Sequence, residues 1–105
     1  MALPPLTPEQ RAAALDKAAQ ARRERAAAKA RLKYSRGSLA ELIEEGRSNT
    51  VIGKMKVSEL LVAIPGVGVK RAEQIMGDVG IAANRRLRGL GTNQAAALVA
   101  RFDQV

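Results

Sequence analysis

An all-α fold is predicted for this chain of 105 residues: a long N-terminal basic helix over 1–36, then a compact helical domain over 37–105. Three observations predict it. From Glu9 to Tyr34 there is neither glycine nor proline, and alanine, the best helix former, dominates. Two capping-box patterns, Thr7-Pro8-Glu9-Gln10 and Ser38-Leu39-Ala40-Glu41, mark helix starts. Beyond them, glycine turns separate short runs whose apolar residues recur at helical spacing.

Met1 to Leu6 is a short proline-bearing lead. Thr7 caps the first helix, Pro8 takes its first position and Gln10 closes the box, so one helix is expected to end near Ser35-Arg36-Gly37. At about 100° per residue, Arg11, Arg22, Arg25, Lys29, Lys33 and Arg36 fall within roughly 80° of one another, with Glu9, Asp16 and Glu24 opposite. Residues 1–36 hold nine Lys+Arg and three Asp+Glu, which places six of the eight net charges here. A solvated arm is one reading of this stripe and contact with an acidic polymer is the other. A membrane-surface helix needs bulky apolar residues opposite the stripe, and only Leu15 and Leu32 have the size. Leu32 and Tyr34 are expected to tie the helix to the domain, and deletion of 1–30 to leave a folded core.

Ser38 opens a short helix that Gly46 is expected to close, burying Leu39, Leu42 and Ile43 and leaving Glu44 and Glu45 solvated. Asn49 caps one more turn towards Met55, and Val51, Ile52, Met55 and Val57 are assigned to the core. Lys54 and Lys56 are read as solvent-facing. Val57 to Ala63, VSELLVA, is a helix with Ser58 as its cap.

The centre of the chain is Ile64 to Met76, IPGVGVKRAEQIM. Pro65 presets φ for the second position of a turn and Gly66 accepts the positive φ of the third. Gly68 is expected to let the backbone approach another surface where a helix begins, with Val67 between the glycines and Lys70 and Arg71 just after. Hairpin amides and a helix N-terminus pointing outward together make an anion site. An ordinary αα-hairpin is the plainer alternative. Leu87 to Val99, LRGLGTNQAAALV, repeats this stretch without gaps at an offset of 23 residues, with Arg88 for the proline and Thr92 as the expected cap of a last helix. Between the turns, Arg85, Arg86 and Arg88 flank the anchor Leu87. Arginine grips phosphate bidentately. The competing reading is a surface cluster paired with acids such as Asp78 or Asp103.

A net charge of +8 and a pI near 10.9 favour a polyanionic partner. With Tyr34 and Phe102 the only aromatics, single-strand binding through base stacking is disfavoured. No cysteine and no histidine means no disulfide, no thiol nucleophile and no common general base or zinc ligand. No catalytic or metal-ligating residue is assigned, and an enzyme is rejected. No apolar run suits a membrane span and no signal-peptide core precedes Thr7, so a soluble cytoplasmic chain is expected.

The pattern from Ile64 to Met76 resembles the helix-hairpin-helix and helix-two-turns-helix elements of DNA-repair and ribosomal proteins. The whole order, a basic alanine-rich helix, then SLAELIEEG, IPGVGVKRAEQIM and NRRLRGLGTNQ, resembles the actinobacterial (mycobacterial-type) integration host factor family along essentially its full length. That resemblance implies a nucleoid-associated protein that binds duplex DNA with little sequence preference, bends or compacts it, and supports a phage integrase complex in site-specific recombination. It implies Pro65, Gly66, Val67, Gly68, Lys70 and Arg71 as a phosphate-gripping hairpin; no cofactor is expected, beyond the monovalent cation that hairpins of this kind often hold on their carbonyls. It also implies Arg85, Arg86 and Arg88 as the arginine cluster. The stripe residues Arg22, Arg25, Lys29, Lys33 and Arg36 complete the expected DNA-binding set of a monomer. An RNA-binding or ribosome-associated protein is the nearest rival, because an A-form backbone also suits amide grips; a protein adaptor with an inert hairpin is a third.

Overall fold

Thr7 starts the first helix through a reciprocal box: its Oγ1 accepts from Gln10 N at 3.1 Å, and Gln10 Oε1 accepts from Thr7 N at 3.0 Å. The computed structural model describes residues 5–103; residues 1–4 of the expected lead lie outside the described residues. Helix α1 spans Pro8–Lys33. Everything from Pro5 to Ala18 is exposed, whereas Ala28 and Leu32 are buried against the domain. Deleting 1–30 would therefore strip Ala28 from the core; the part that can be removed without uncovering apolar surface ends near Ala18. Tyr34 is not the expected tie, being 60% exposed. The helix ends with Ser35 in the left-handed region at φ 55°, while Arg36 N donates to Arg31 O at 2.7 Å and Ser35 N to Leu32 O at 3.4 Å.

Helix α2 spans Leu39–Ser48 and α3 spans Thr50–Gly53. Ser38 Oγ accepts from Glu41 N at 3.1 Å, but the Glu41 carboxylate turns to Arg31, so only half of the expected box forms. Gly46 does not close α2. It is buried in mid-helix because the helix crosses α3 there: a Cβ on Gly53 would lie 2.5 Å from Gly46 O, and one on Gly46 would lie 3.0 Å from Leu87 Cδ2. Asn49 caps α3, its Oδ1 accepting from Val51 N and Ile52 N.

Helix α4 spans Val57–Ala63 and has no side-chain cap; Ser58 lies inside it, not ahead of it. Its entry is pinned instead by an isolated antiparallel bridge, Lys56 opposite Arg86, with Val57 N donating to Arg85 O at 3.0 Å and Leu87 N to Met55 O at 2.9 Å. Helix α5 spans Val69–Val79, three residues beyond the end of the IPGVGVKRAEQIM stretch, until Gly80 at φ 81° ends it. A single 3-10 turn, Leu87–Gly89, precedes α6, Thr92–Asp103. No strand occurs among the described residues.

The repeat is visible in the hydrogen bonds. Val67 N donates to Ile64 O at 3.1 Å and Leu90 N to Leu87 O at 3.2 Å; Ala72 N donates to Gly68 O and Ala95 N to Gly91 O, both at 2.9 Å. The turns themselves differ. Gly66 has φ 84°, as a proline-glycine turn requires, whereas Gly89 has no positive φ and its turn tightens into the 3-10 form. Leu42, Met55, Leu60, Leu61, Ile75 and Leu98 are the largest fully buried side chains of one core, which Ala28 and Leu32 of α1 join.

Candidate nucleic-acid interface

The first glycine turn leaves its backbone open. Neither Gly66 nor Gly68 would bring an added Cβ within 4 Å of an atom elsewhere in the chain, so the surface that Gly68 is expected to approach is none of this protein's own, and the space ahead of it is free. The N-terminus of α5 has no side-chain cap, and the first amides of a helix have no partner inside it. Lys70 and Arg71 are exposed beside those amides. At the second turn the equivalent position is closed: Gly91 N donates to Gln94 Oε1 at 3.1 Å, and Gln94 Nε2 donates to Gly80 O at 2.8 Å. Thr92 is the first helical residue and not the expected cap. The first turn leaves its amides open, whereas at the second the amide of Gly91 is taken by Gln94.

The second turn offers guanidiniums instead. Arg86 Nη1 donates to Lys54 O at 3.2 Å, Arg85 Nη1 to Gly89 O at 2.6 Å, and Arg88 packs its Cβ over Gly53. Among the described residues none of the three forms an ion pair with an acid. Asp78 pairs with Arg101 at 3.1 Å, and the Asp103 side chain lies outside what is described. Lys56 stands directly opposite Arg86 in the bridge. Its two flanking hydrogen bonds make Lys56 and Arg86 a non-hydrogen-bonded pair, the geometry in which facing side chains come closest.

Helix α4 separates the two turns, about 10 Å for seven residues at 1.5 Å each. Along α1 the expected stripe divides. Arg22 is exposed; Arg25 is half-buried and lines a crevice with Lys17, Glu24, Asn49, Thr50 and Lys54. Lys29 Nζ lies 3.8 Å from Glu59 Oε2 and is partly spent on the domain. Lys33 and Arg36 sit over the Tyr34 ring, and Arg36 and Pro65 line one further crevice. Arg31, outside the stripe, is structural. It holds Glu45 at 2.6 Å and Glu41 at 3.2 Å, so Glu45 is not the free solvated acid expected. The Glu45 hydrogen bond is the main cause of a raised Arg31 pKa, against the lowering effect of partial burial.

Lys17 is a cation of this surface that the sequence did not single out, and Lys54 and Lys56 are exposed, as expected of isolated lysines facing solvent. For Lys56 no local signal exists, since its partner lies 30 residues away. No helix among the described residues is long and apolar enough to cross a membrane.

A model of the S13-like H2TH domain matches residues 32–102. The integration host factor of Streptomyces coelicolor is 66% identical over 102 residues, 97% of this chain and 95% of that protein. The integration host factors of Mycolicibacterium smegmatis and Mycobacterium tuberculosis are each 55% identical, with 99% and 97% of this chain and 99% and 97% of theirs covered. A solved structure described as sIHF bound to an 8bp palindromic DNA superposes with a TM-score of 0.81 at 60% identity, over 83% of this chain and 98% of that one.

Proposed function

The chain belongs to the actinobacterial integration host factor family, an H2TH domain with a long helix ahead of it, and on that premise we propose that it binds duplex DNA. In this reading it acts as a monomer at the nucleoid, in the cytoplasm. It bends or compacts DNA with little sequence preference and supports phage integrase-mediated site-specific recombination. Its role is binding, not catalysis. The observation that supports this best is the Lys56–Arg86 pair. Like charges directly opposite each other across a bridge are destabilising, and Arg85 and Arg88, which flank Arg86 and Leu87 in the chain, have no acid among the described ion pairs. A phosphate backbone between these groups relieves the repulsion.

Arg85, Arg86 and Arg88 are assigned as the principal phosphate ligands. The open turn at Pro65, Gly66, Val67 and Gly68, with Lys70 and Arg71, is the second grip. Arg22, Arg25, Lys33 and Arg36 extend the contact along α1, and Lys29 contributes less because of Glu59. The hairpin suits a monovalent cation in kind: its glycines leave the backbone uncovered, and Ile64 O, which accepts from Val67 N, keeps a second lone pair. Such an ion would add positive potential beside the amides.

Two grips about 10 Å apart on a rigid body hold one duplex at separate points and can impose a bend. Energy transfer between dyes on the two ends of a short duplex should rise on binding. Affinities across a panel of random sequences should stay within about tenfold, because phosphate contacts carry no base information. Replacing Arg22 and Arg25 by alanine should lower affinity and transfer together. Unchanged transfer, or one sequence bound about a thousandfold above the rest, would contradict the proposal.

A further inference from the structure

Tyr34 has no role in the packing of the domain. It stands at the corner between α1 and α2, 60% exposed, and is the sole tyrosine of a chain without tryptophan. Lys33 Nζ lies 5.5 Å and Arg36 Cζ 5.9 Å from its ring centroid. Neither cation has an acidic partner among the described ion pairs. The ring therefore gathers two like charges that would otherwise spread apart, by the attraction of each for its π-system. Arg36 also lines the crevice that reaches Pro65. An exposed aromatic ring with two cations within 6 Å of its centre suits a sugar-phosphate strand, whose apolar deoxyribose lies between two anions.

We propose that Tyr34 is a DNA contact, its ring lying against a deoxyribose while Lys33 and Arg36 hold the phosphates on either side. This rests on the duplex-binding reading above. It adds an apolar contact at the corner from which α1 departs, apart from both glycine turns. The ring and not its hydroxyl is the working part, so Tyr34→Phe should bind as the parent does. Tyr34→Ala should lose about threefold to tenfold in affinity, the range of an aromatic contact plus its cation interactions. Leu15→Ala, which removes an equally exposed apolar group from the outer part of α1, should lose nothing.

The test uses the full chain with fluorotyrosine at its single tyrosine position, so that one fluorine resonance reports this site. Titration with a dye-labelled duplex should move that resonance in step with the dye's anisotropy. If anisotropy rises while the resonance stays put and Tyr34→Ala binds normally, the contact is refuted and DNA binding stands. If Tyr34→Phe loses as much as Tyr34→Ala, the ring is not the contact. If the labelled duplex does not bind at all, the duplex-binding reading falls and this one with it. The resonance of the unsubstituted chain decides the matter even if the alanine variant folds poorly.

Discussion

Replacing Arg85, Arg86 and Arg88 together by alanine is expected to abolish measurable binding to duplex DNA at moderate salt while the fold survives. Each arginine supplies a charge-assisted phosphate contact of about 1.5 kcal/mol, so the three together account for about 4.5 kcal/mol, roughly two thousandfold in affinity. The slope of log K against log salt should flatten by about three. None of the three is part of the core, whose nearby anchors are Leu87 and Leu98. Two local hydrogen bonds are lost, Arg85 to Gly89 O and Arg86 to Lys54 O, but water can replace both at an exposed edge. Melting should therefore fall only slightly. Binding within threefold of the parent would show that the principal site lies elsewhere.

Gly53→Ala is expected to reverse the usual sign of a glycine-to-alanine change in a helix. Alanine normally stabilises a helix interior by roughly 0.5–1 kcal/mol relative to glycine. Here the new methyl would stand 2.5 Å from Gly46 O, a backbone atom held inside α2, so the two helices must separate. A clash of this kind in a packed interior costs about 1–3 kcal/mol. The same methyl would lie 3.2 Å from Arg88 Cβ, so it also pushes one member of the arginine cluster. Urea unfolding should show the lower stability, and duplex affinity should fall in the folded protein. Gly77→Ala is the control: its Cβ meets nothing within 4 Å, and it should be neutral or stabilising.

The contrast between these glycines shows what could be read in the chain beforehand. The turn at Pro65-Gly66 is a local matter: proline fixes one φ, glycine accepts the next, and the structure has Gly66 at φ 84°. The Thr7 box is local in the same way, as is the repeat offset of 23 residues, which reappears in matched hydrogen bonds. Gly46 looked like a helix stop because that is what glycine usually does. Its actual reason, contact with Gly53 and Leu87, depends on a helix crossing that no single segment specifies. Ser58 looked like a cap, but a bridge to Arg86 starts α4 instead. Charge was legible as a stripe on α1, yet which of its members the domain takes for itself was not. Lys29 is drawn to Glu59 and Arg31 to Glu45 by elements that pack on the helix from elsewhere in the chain. The closure of the second turn by Gln94 is of the same kind, since its other partner, Gly80 O, lies 14 residues back.

The most direct measurement is affinity for matched duplex DNA, single-stranded DNA and duplex RNA across a range of salt. Contact with about four to seven phosphates predicts a slope of roughly −4 to −6 for the DNA duplex. Binding to the single strand should be weaker, because a chain with two aromatic residues has almost no platform for stacking. A slope near zero, or tighter binding to the single strand or to duplex RNA, would contradict the account.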